Sequence, residues 1–198
     1  MSYEEIEVKF IVDDAAAMRQ RIVGLEAHLH RPRTYEDNWC FDTPDQRLQQ
    51  ADRLLRLRRD HRVLLTYKEP PPTVDAAFKV RQEYEIEVSD FEQARALVEK
   101  LGFAPSLRYE KYRETFRCGE AEILLDETPV GTFLELEGRR EAINDLVMRL
   151  DLDDASRITA SYGDIFDAVR SAYDLSFSDM TFDNFRGLSI DLRACQLT

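Results

Sequence analysis

Acidic and basic residues alternate with apolar residues in the segment Glu5-Ile6-Glu7-Val8-Lys9. Because successive side chains of a β-strand point to opposite faces, this alternation predicts a strand with both glutamates and the lysine on one face. Carboxylates that are grouped without histidine or cysteine are suitable ligands for a hard divalent cation such as Mg²⁺ or Mn²⁺. The segment therefore predicts carboxylate ligands for a divalent metal.

The same alternation of charged and uncharged residues returns in three later segments. The charged members are Arg56 and Arg58 in one segment, Arg81, Glu83, Glu85 and Glu87 in the next, and Glu135 and Glu137 in the last. One exposed strand can show this pattern by chance, but four segments indicate strands that share one charged surface. We therefore expect these residues to come together in the fold.

Basic residues on this charged surface suit a polyphosphate, because arginine offers a bidentate fork and lysine a point charge. The candidate cations are Lys9, Arg56, Arg58, Lys68, Arg81, Lys111 and Arg113. The candidate carboxylates are Glu5, Glu7, Glu83, Glu85, Asp126, Glu135 and Glu137. Together the two sets predict a metal-bound polyphosphate, in which the metal bridges phosphate oxygens and offsets the charge that builds up in phosphoryl transfer.

Each charged segment, taken alone, also has an explanation that involves no ligand. The first strand can be an ordinary solvated face, and Arg56 with Arg58 can guard an exposed edge strand against pairing with another chain. The acidic residues after Arg81 can form cross-strand salt bridges with Lys68 and Arg113. These alternatives stay open at the level of the sequence.

Strand and helix patterns along the chain predict how the charged residues are positioned. Residues 54–59 and 63–68 read as two strands around the turn Asp60-His61-Arg62, which predicts a hairpin. About eight strands alternate with helices, and that number is enough to close a small antiparallel barrel. Because the helices can cover the apolar faces, the charged faces are left to line a hydrated interior. We therefore predict an α+β fold, an antiparallel eight-stranded tunnel barrel with a charged interior and helices packed on the outside.

Apolar spacing predicts a helix directly after the first strand. Met18, Ile22, Leu25 and Leu29 recur at helical spacing, and Pro32 closes the segment. We expect one face of this helix, from Met18 to Leu29, to pack against an apolar surface.

The composition limits the classes of partner. The chain has 198 residues and a formal net charge of −12, so it should repel nucleic acid and anionic membranes outside a local basic cluster. Its apolar runs are too short to span a membrane, and its acidic N-terminus lacks the layout of a signal peptide. Cys40, Cys118 and Cys195 are odd in number and widely spaced, which is typical of reduced cytosolic thiols. We expect a cytoplasmic protein that binds neither nucleic acid nor membrane.

The succession of charged motifs resembles the CYTH superfamily, the triphosphate tunnel metalloenzymes. Glu5-Ile6-Glu7-Val8-Lys9 is similar to the ExExK signature that opens the first strand of these proteins. The resemblance continues in order through Phe41-Asp42-Thr43-Pro44, Leu55-Arg56-Leu57-Arg58, Leu65-Thr66-Tyr67-Lys68, Arg81-Gln82-Glu83-Tyr84-Glu85, Lys111-Tyr112-Arg113, Leu125-Asp126 and Phe133-Leu134-Glu135-Leu136-Glu137. It covers about residues 2–167, and it is greatest to the branch that holds class IV adenylyl cyclases and thiamine triphosphatases.

The resemblance implies an antiparallel tunnel barrel, a divalent metal, either Mg²⁺ or Mn²⁺, and a triphosphate substrate. It implies metal ligands at Glu5, Glu7, Asp126, Glu135 and Glu137. It implies triphosphate-binding cations at Lys9, Arg56, Arg58, Lys68, Arg81, Lys111 and Arg113. It implies catalytic roles for Lys9, Glu83 and Glu85, of which the two glutamates would orient water, assist the metal or fix the basic residues. We expect a tunnel domain in residues 1–173 and an extension of unknown role in residues 174–198.

Three functions are compatible with this charged surface. The leading hypothesis is a metal-dependent triphosphatase that hydrolyses a small inorganic or organic triphosphate, such as tripolyphosphate, thiamine triphosphate or a nucleoside triphosphate. The second is an adenylyl cyclase, in which the ribose 3′-hydroxyl of ATP attacks the α-phosphate and releases pyrophosphate. The third is a polyphosphate-binding module without turnover. In each case we expect a monomer or a homodimer with a small-molecule triphosphate as its partner.

Overall fold

The computed structural model describes residues 3–71, 75, 77–195 and 197, which form eight strands and five α-helices. The strands are β1 (Tyr3–Val12), β2 (His28–Asp42), β3 (Leu54–Arg59), β4 (Val63–Glu69), β5 (Lys79–Glu87), β6 (Ala104–Cys118), β7 (Ala121–Thr128) and β8 (Gly131–Glu137). The helices are α1 (Ala15–Gly24), α2 (Arg47–Gln50), α3 (Phe91–Lys100), α4 (Arg140–Arg149) and α5 (Tyr162–Ala172). In this described part of the chain, every helix is too short or too polar to cross a membrane.

The eight strands form a closed barrel in which every neighbouring pair is antiparallel. The strand order around the barrel is β1-β5-β4-β3-β2-β6-β7-β8. The predicted hairpin is formed by β3 and β4, whose register pairs Leu54 with Lys68 and Arg58 with Leu64. The predicted α+β class, the antiparallel eight-stranded barrel and the hairpin are therefore confirmed.

The apolar faces of the strands point away from the barrel interior and are covered by helices. Ile6, Val8 and Phe10 of β1 are buried in a cluster that includes Ile22 of α1 and Ile143 of α4. On another side of the barrel, α3 packs in the same way against β2 and β3. Because side chains alternate along a strand, the charged residues of β1 lie on the inner face. The predicted charged interior with helices outside is also confirmed.

The first helix is shorter than the apolar spacing predicts. Helix α1 ends at Gly24, and Glu26 has a left-handed backbone conformation with φ of 61° that turns the chain out of the helical path. The chain enters β2 at His28, and Leu29 pairs with Phe116 of β6. The prediction that Leu29 continues the helix is therefore wrong, because strand pairing with β6 takes this residue into the barrel wall.

Pro32 lies inside β2 instead of ending a helix. The register between β2 and β6 shifts between Arg31 and Thr34, so the regular ladder is interrupted at the proline. A proline is tolerated at such an irregularity because no ladder hydrogen bond is required from its nitrogen.

The C-terminal segment, residues 158–195, closes one end of the barrel. Ile158 forms an isolated bridge with Lys9 of β1, and Met180 forms another with Tyr109 of β6. Apolar side chains of the segment form a buried cluster with inward-facing barrel residues such as Phe133. The division of the chain into a domain of residues 1–173 and an extension of residues 174–198 stays a prediction.

Candidate functional site

A cavity of about 940 Å³ lies inside the barrel and is lined mainly by charged residues. Thirteen arginine and lysine residues and twelve aspartate and glutamate residues contribute to its wall. In the whole chain, 27 basic residues stand against 39 acidic residues, so the basic residues are concentrated at this cavity. Every predicted site residue except Asp126 lines it, within the part of the chain that the structure describes.

Three glutamates from two neighbouring strands form an acidic cluster in the cavity. One carboxylate oxygen each of Glu5, Glu7 and Glu137 lies within 4.8 Å of the other two. Burial and the nearby charge of Glu5 raise the pKa of Glu137 to about 8. Burial also raises the pKa of Glu5. Three crowded oxygen ligands, one buried and two partly buried, are a donor set that fits a hard divalent cation, because the cation would reduce the repulsion between them.

Glu7 is the member of this acidic cluster that stays ionised most easily. Burial opposes its charge, but Lys9 and Lys79 outweigh burial and lower the pKa of Glu7 to about 2. The Nζ atom of Lys9 donates to Oε1 of Glu7 at 2.6 Å, and Nζ of Lys79 lies 3.6 Å from the same oxygen. Glu7 therefore offers one oxygen to lysines while it faces the other two glutamates.

Glu135 is predicted as a metal ligand, and the structure places it mainly among cations. Its Oε2 accepts a hydrogen bond of 2.7 Å from Arg113, and its Oε1 lies 3.6 Å from Nζ of Lys9. Although burial works in the opposite direction, Arg113 and Lys9 hold the pKa of Glu135 well below its usual range. Glu135 thus lies next to the acidic cluster and fixes two of the cations.

Asp126 lies behind the cavity wall, where its carboxylate is fully buried. It accepts hydrogen bonds from Nζ of Lys111 at 2.8 Å, from Nε of Arg113 at 2.6 Å and from the hydroxyl of Tyr162 at 2.6 Å. These partners occupy both oxygens, so the structure does not bring Asp126 into the acidic cluster with Glu5. Its position suits the orientation of the two cations.

Lys68 connects the acidic cluster to Glu83. Its Nζ donates to Oε2 of Glu5 and lies 2.6 Å from Oε2 of Glu83. Burial works against the charge of Glu83, but Lys68 lowers the pKa of this carboxyl. Glu85 is placed differently, since it is exposed and accepts a hydrogen bond of 2.8 Å from the hydroxyl of Thr66.

The predicted arginines differ in how many of their N–H groups donate hydrogen bonds within the protein. Arg81 donates to Asp52 at 2.6 Å, and Arg56 donates to the hydroxyl of Tyr109 at 3.2 Å. The buried Nε atoms of Arg56 and Arg58 have no hydrogen-bond partner among the described residues. A buried donor without a partner is costly, so these two guanidinium groups are suited to an anionic ligand that enters the cavity.

Three residues of the site are absent from the sequence-based prediction. Lys79 alternates with Arg81 on β5, so the same period of two identifies it as an inward-facing cation. Burial and Lys9 lower the pKa of Lys79 to about 8.

Glu36 is buried, and its Oε2 lies 3.7 Å from Nζ of Lys111. The register shifts in β2 interrupt the regular alternation of charged and apolar residues, so the sequence pattern does not identify Glu36 as an inward-facing residue. Tyr162 is on a helix that is distant in sequence, and no local pattern points to it.

Comparisons with known proteins agree with this architecture. A family model described as the CYTH domain matches residues 4–158. A candidate adenylate cyclase of Methanocaldococcus jannaschii is 31% identical over 143 residues, which cover 71% of this chain and 80% of that protein.

Two solved structures have the same fold as this chain. A candidate adenylate cyclase from Vibrio parahaemolyticus has a TM-score of 0.75 at 24% identity, and the match covers 85% of this chain and all of the other. A candidate adenylyl cyclase from Hippeastrum, described as having a dominant triphosphatase activity, has a TM-score of 0.58 at 18% identity. That match covers 86% of this chain and 96% of the Hippeastrum chain. At these identities the likeness concerns the fold alone.

Proposed function

This chain belongs to the CYTH domain family, and we propose that it is a metal-dependent triphosphatase that hydrolyses a small inorganic or organic triphosphate. One observation carries the proposal. The acidic cluster of Glu5, Glu7 and Glu137 shares a single cavity with Arg56 and Arg58, whose buried Nε donors have no hydrogen-bond partner among the described residues, although Nε of Arg58 lies 3.7 Å from Oδ2 of Asp60. A metal-bound triphosphate needs both groups at once, because it presents a divalent cation and a row of anionic oxygens.

The acidic cluster would hold the metal, either Mg²⁺ or Mn²⁺. Such a cation, held by these carboxylates, would supply positive charge to offset the negative charge that develops in phosphoryl transfer. Glu135 supports this position from the side, because it fixes Lys9 next to Glu7. Asp126 is not part of the proposed ligand set, because its oxygens already accept hydrogen bonds from Lys111 and Arg113.

The cations of the cavity would bind the triphosphate oxygens and fix the chain of phosphates. Arg56 and Arg58 have donors to spare, and Lys68, Lys111 and Arg113 are held in place by carboxylates. Because fixed charges need no rearrangement during the reaction, they stabilise developing charge more effectively than mobile ones.

Lys9 and the two glutamates of β5 receive distinct roles. The carboxylates of Glu135 and Glu7 outweigh burial and raise the pKa of Lys9, so this lysine acts as a permanent cation and not as a base. Glu83 fixes Lys68, to which it is bound. Glu85 is exposed on the cavity wall, where its carboxylate can orient an attacking water.

Adenylyl cyclisation is the second candidate, and the name of the Methanocaldococcus jannaschii relative favours it. The same cavity can bind ATP by its phosphates. The difference lies in the nucleophile, since cyclisation requires the ribose 3′-hydroxyl to attack the α-phosphate in place of water.

A product assay with tripolyphosphate, thiamine triphosphate and ATP, each with Mg²⁺ or Mn²⁺, tests the proposal. Orthophosphate release is the expected result, and Glu7→Gln should abolish it. Glu4→Gln is the matched control, because Glu4 is exposed on the opposite face of β1. Pyrophosphate with cyclic AMP would instead establish the cyclase. Tight binding without products would establish a binding module, and neither binding nor products would refute all three functions.

A further inference from the structure

Tyr162, the first residue of α5, enters the barrel from the end that the C-terminal segment closes. Its side chain is buried, and its hydroxyl donates to Oδ2 of Asp126 at 2.6 Å. The residue lies beyond the matched family range of residues 4–158. A side chain from outside that range thus reaches the group that anchors the cations.

The ring of Tyr162 lies over two of these cations. The Nζ atom of Lys111 is 4.6 Å from the ring centroid, and Nζ of Lys9 is 5.6 Å from it. Both distances are within the range of about 6 Å in which an ammonium group is attracted to an aromatic face. Because the site is shielded from water, this attraction is stronger than on an exposed surface.

Lys111 is held by Tyr162 in two ways. Its Nζ donates to Oδ2 of Asp126 at 2.8 Å, and the Tyr162 hydroxyl donates to the same oxygen. The ring therefore limits where the ammonium group can lie, while the hydroxyl limits where its carboxylate partner can lie. No other described aromatic ring has Nζ of Lys111 over its face.

The position of Tyr162 is itself fixed by its neighbours. Its ring centroid lies 5.8 Å from that of Tyr109 and 5.7 Å from that of Phe133, with the Phe133 ring edge-on. The helix that carries it begins with a capping box in which the backbone N–H of Ser161 donates to Asp164 at 2.8 Å. Ring packing and helix capping together leave the side chain little freedom.

We propose that Tyr162 is a positioning residue that orients the ammonium groups of Lys111 and Lys9 toward a bound phosphate chain. The direction of the two ammonium groups toward phosphate rests on the proposed function. The restraint on Lys111 by the ring and the hydroxyl rests on the contacts alone. The C-terminal segment then orients cations of the cavity as well as closing one end of the barrel.

Three variants separate positioning from packing. Tyr162→Phe removes the hydroxyl and keeps the ring, whereas Tyr162→Leu removes both. Phe185→Leu is the matched control, because Phe185 is buried in the same apolar cluster and does not line the cavity. The kcat and KM for tripolyphosphate with Mg²⁺, the affinity for tripolyphosphate by calorimetry, and the NMR shift of the Lys111 ε-methylene group are measured for each.

We expect kcat/KM and affinity to fall by about tenfold in Tyr162→Phe, the order of one lost hydrogen bond to a charged group. Tyr162→Leu should lose about a further tenfold with the cation–π contact. The Lys111 methylene resonance should carry a ring-current shift in the wild type and Tyr162→Phe and lose it in Tyr162→Leu. Phe185→Leu should keep wild-type kcat/KM, affinity and shift, even if its melting midpoint falls.

Several results would overturn the inference. An unmoved Lys111 resonance in Tyr162→Leu would show that the ring does not restrain the lysine. Affinity and kcat/KM within twofold of wild type in both Tyr162 variants would remove the positioning role, as would an equal loss in Phe185→Leu. If the wild type neither binds nor hydrolyses tripolyphosphate, the proposed function fails, and so does the orientation toward phosphate. The methylene shift still decides the restraint on Lys111 in that case.

Discussion

Glu7 of β1 and Glu137 of β8 are directly opposite each other on neighbouring strands, and a carboxylate oxygen of each lies within 4.8 Å of the other. Glu5 adds a third oxygen within the same distance. Like charges at this separation repel each other strongly when they are shielded from water. Burial and this repulsion raise the pKa of Glu137 to about 8, so near neutral pH the metal-free barrel must hold this carboxyl protonated, which costs stability. A bound metal would replace that proton, so metal binding and folding should be linked.

Replacement of Glu137 should reveal this linkage. Glu137→Gln should raise the stability of the metal-free protein by at least about 1 kcal/mol, or about 2–4 °C in melting midpoint, because it removes one of the crowded carboxylates. The same change should abolish the stabilisation that Mg²⁺ gives to the wild type, since an amide is a poor ligand for a hard cation. Thermal unfolding with and without Mg²⁺ measures both effects.

Glu4→Gln is the control for this prediction, since Glu4 is exposed on the outer face of the same strand. Its response to Mg²⁺ should match that of the wild type. A Glu137→Gln protein that Mg²⁺ stabilises as much as the wild type would place the metal elsewhere.

Triphosphate should stabilise the folded protein. The cations of the cavity repel one another, and the intact barrel alone brings them together, so tripolyphosphate should bind the folded state and not the unfolded chain. At a ligand concentration about 100-fold above Kd, the added stability is about 2.7 kcal/mol. Thermal unfolding at low salt with Mg²⁺ measures it. A melting midpoint that tripolyphosphate does not move would contradict any triphosphate site in this cavity.

Arg56 offers the clearest test of the cation set. Its Nε is buried without a hydrogen-bond partner among the described residues, so its removal leaves few protein contacts broken. Arg56→Ala should weaken tripolyphosphate binding by about 1–3 kcal/mol, the range for a hydrogen bond to a charged group. Calorimetric titration gives the affinity. Arg95→Ala is the control, because Arg95 pairs with Glu99 on the outer helix α3 and should leave the affinity unchanged. Equal affinities in both variants would mean that Arg56 does not contact the anion.

Lys111 is less suited to the same test. If Lys111 were only one more cation in a group of like charges, its removal would cost little stability. The structure shows it fully enclosed and bound to Asp126 at 2.8 Å. Breaking a buried ion pair costs on the order of 3 kcal/mol, because the remaining partner loses part of its compensation. Lys111→Ala should therefore lower both stability and affinity.

The barrel and most of its lining are predictable from the sequence because a strand has a period of two. That period identifies Glu5 and Glu7 as neighbours on one face without any knowledge of the partners of the strand. Closure of the barrel then brings Glu137 beside them, since β8 pairs with β1. The number of strands follows from the count of strand-like segments, and a short turn predicts antiparallel pairing where it joins two neighbours, as between β3 and β4.

The residues that sequence reasoning misses or misplaces depend on long-range packing. Asp126 is predicted as a ligand from the resemblance of Leu125-Asp126, but the hydroxyl of Tyr162, 36 positions later, binds its carboxylate behind the cavity wall. The sequence pattern does not identify Glu36 as a site residue, because the register of β2 shifts around Pro32 and the period of two is broken just before Glu36. Leu29 matches helical spacing only by coincidence, and pairing with β6 overrides that spacing.

Glu36 should make stability depend on pH at the acidic end. Burial alone would raise its pKa, but Lys111, Arg113 and Arg58 outweigh burial and lower the pKa to about 2 from an ordinary value of 4.5. Because the folded-state pKa is the lower one, folding favours the ionised carboxylate. The stabilisation by Glu36 is therefore fully present above about pH 4.5 and is lost as the pH falls through about 2.

The variant Glu36→Gln isolates this contribution. Near pH 7 it should be less stable than the wild type by on the order of 3 kcal/mol, because the cations around position 36 lose a buried counter-charge. The difference should shrink steadily as the pH falls from 4.5 toward 2, where the wild-type carboxyl also becomes neutral. Urea unfolding of both proteins at several pH values from 2.5 to 7 gives the two curves. Glu4→Gln should show no such trend, since its side chain is exposed. A difference between wild type and Glu36→Gln that is the same at pH 3 and pH 7 would mean that the Glu36 charge does not contribute to folding.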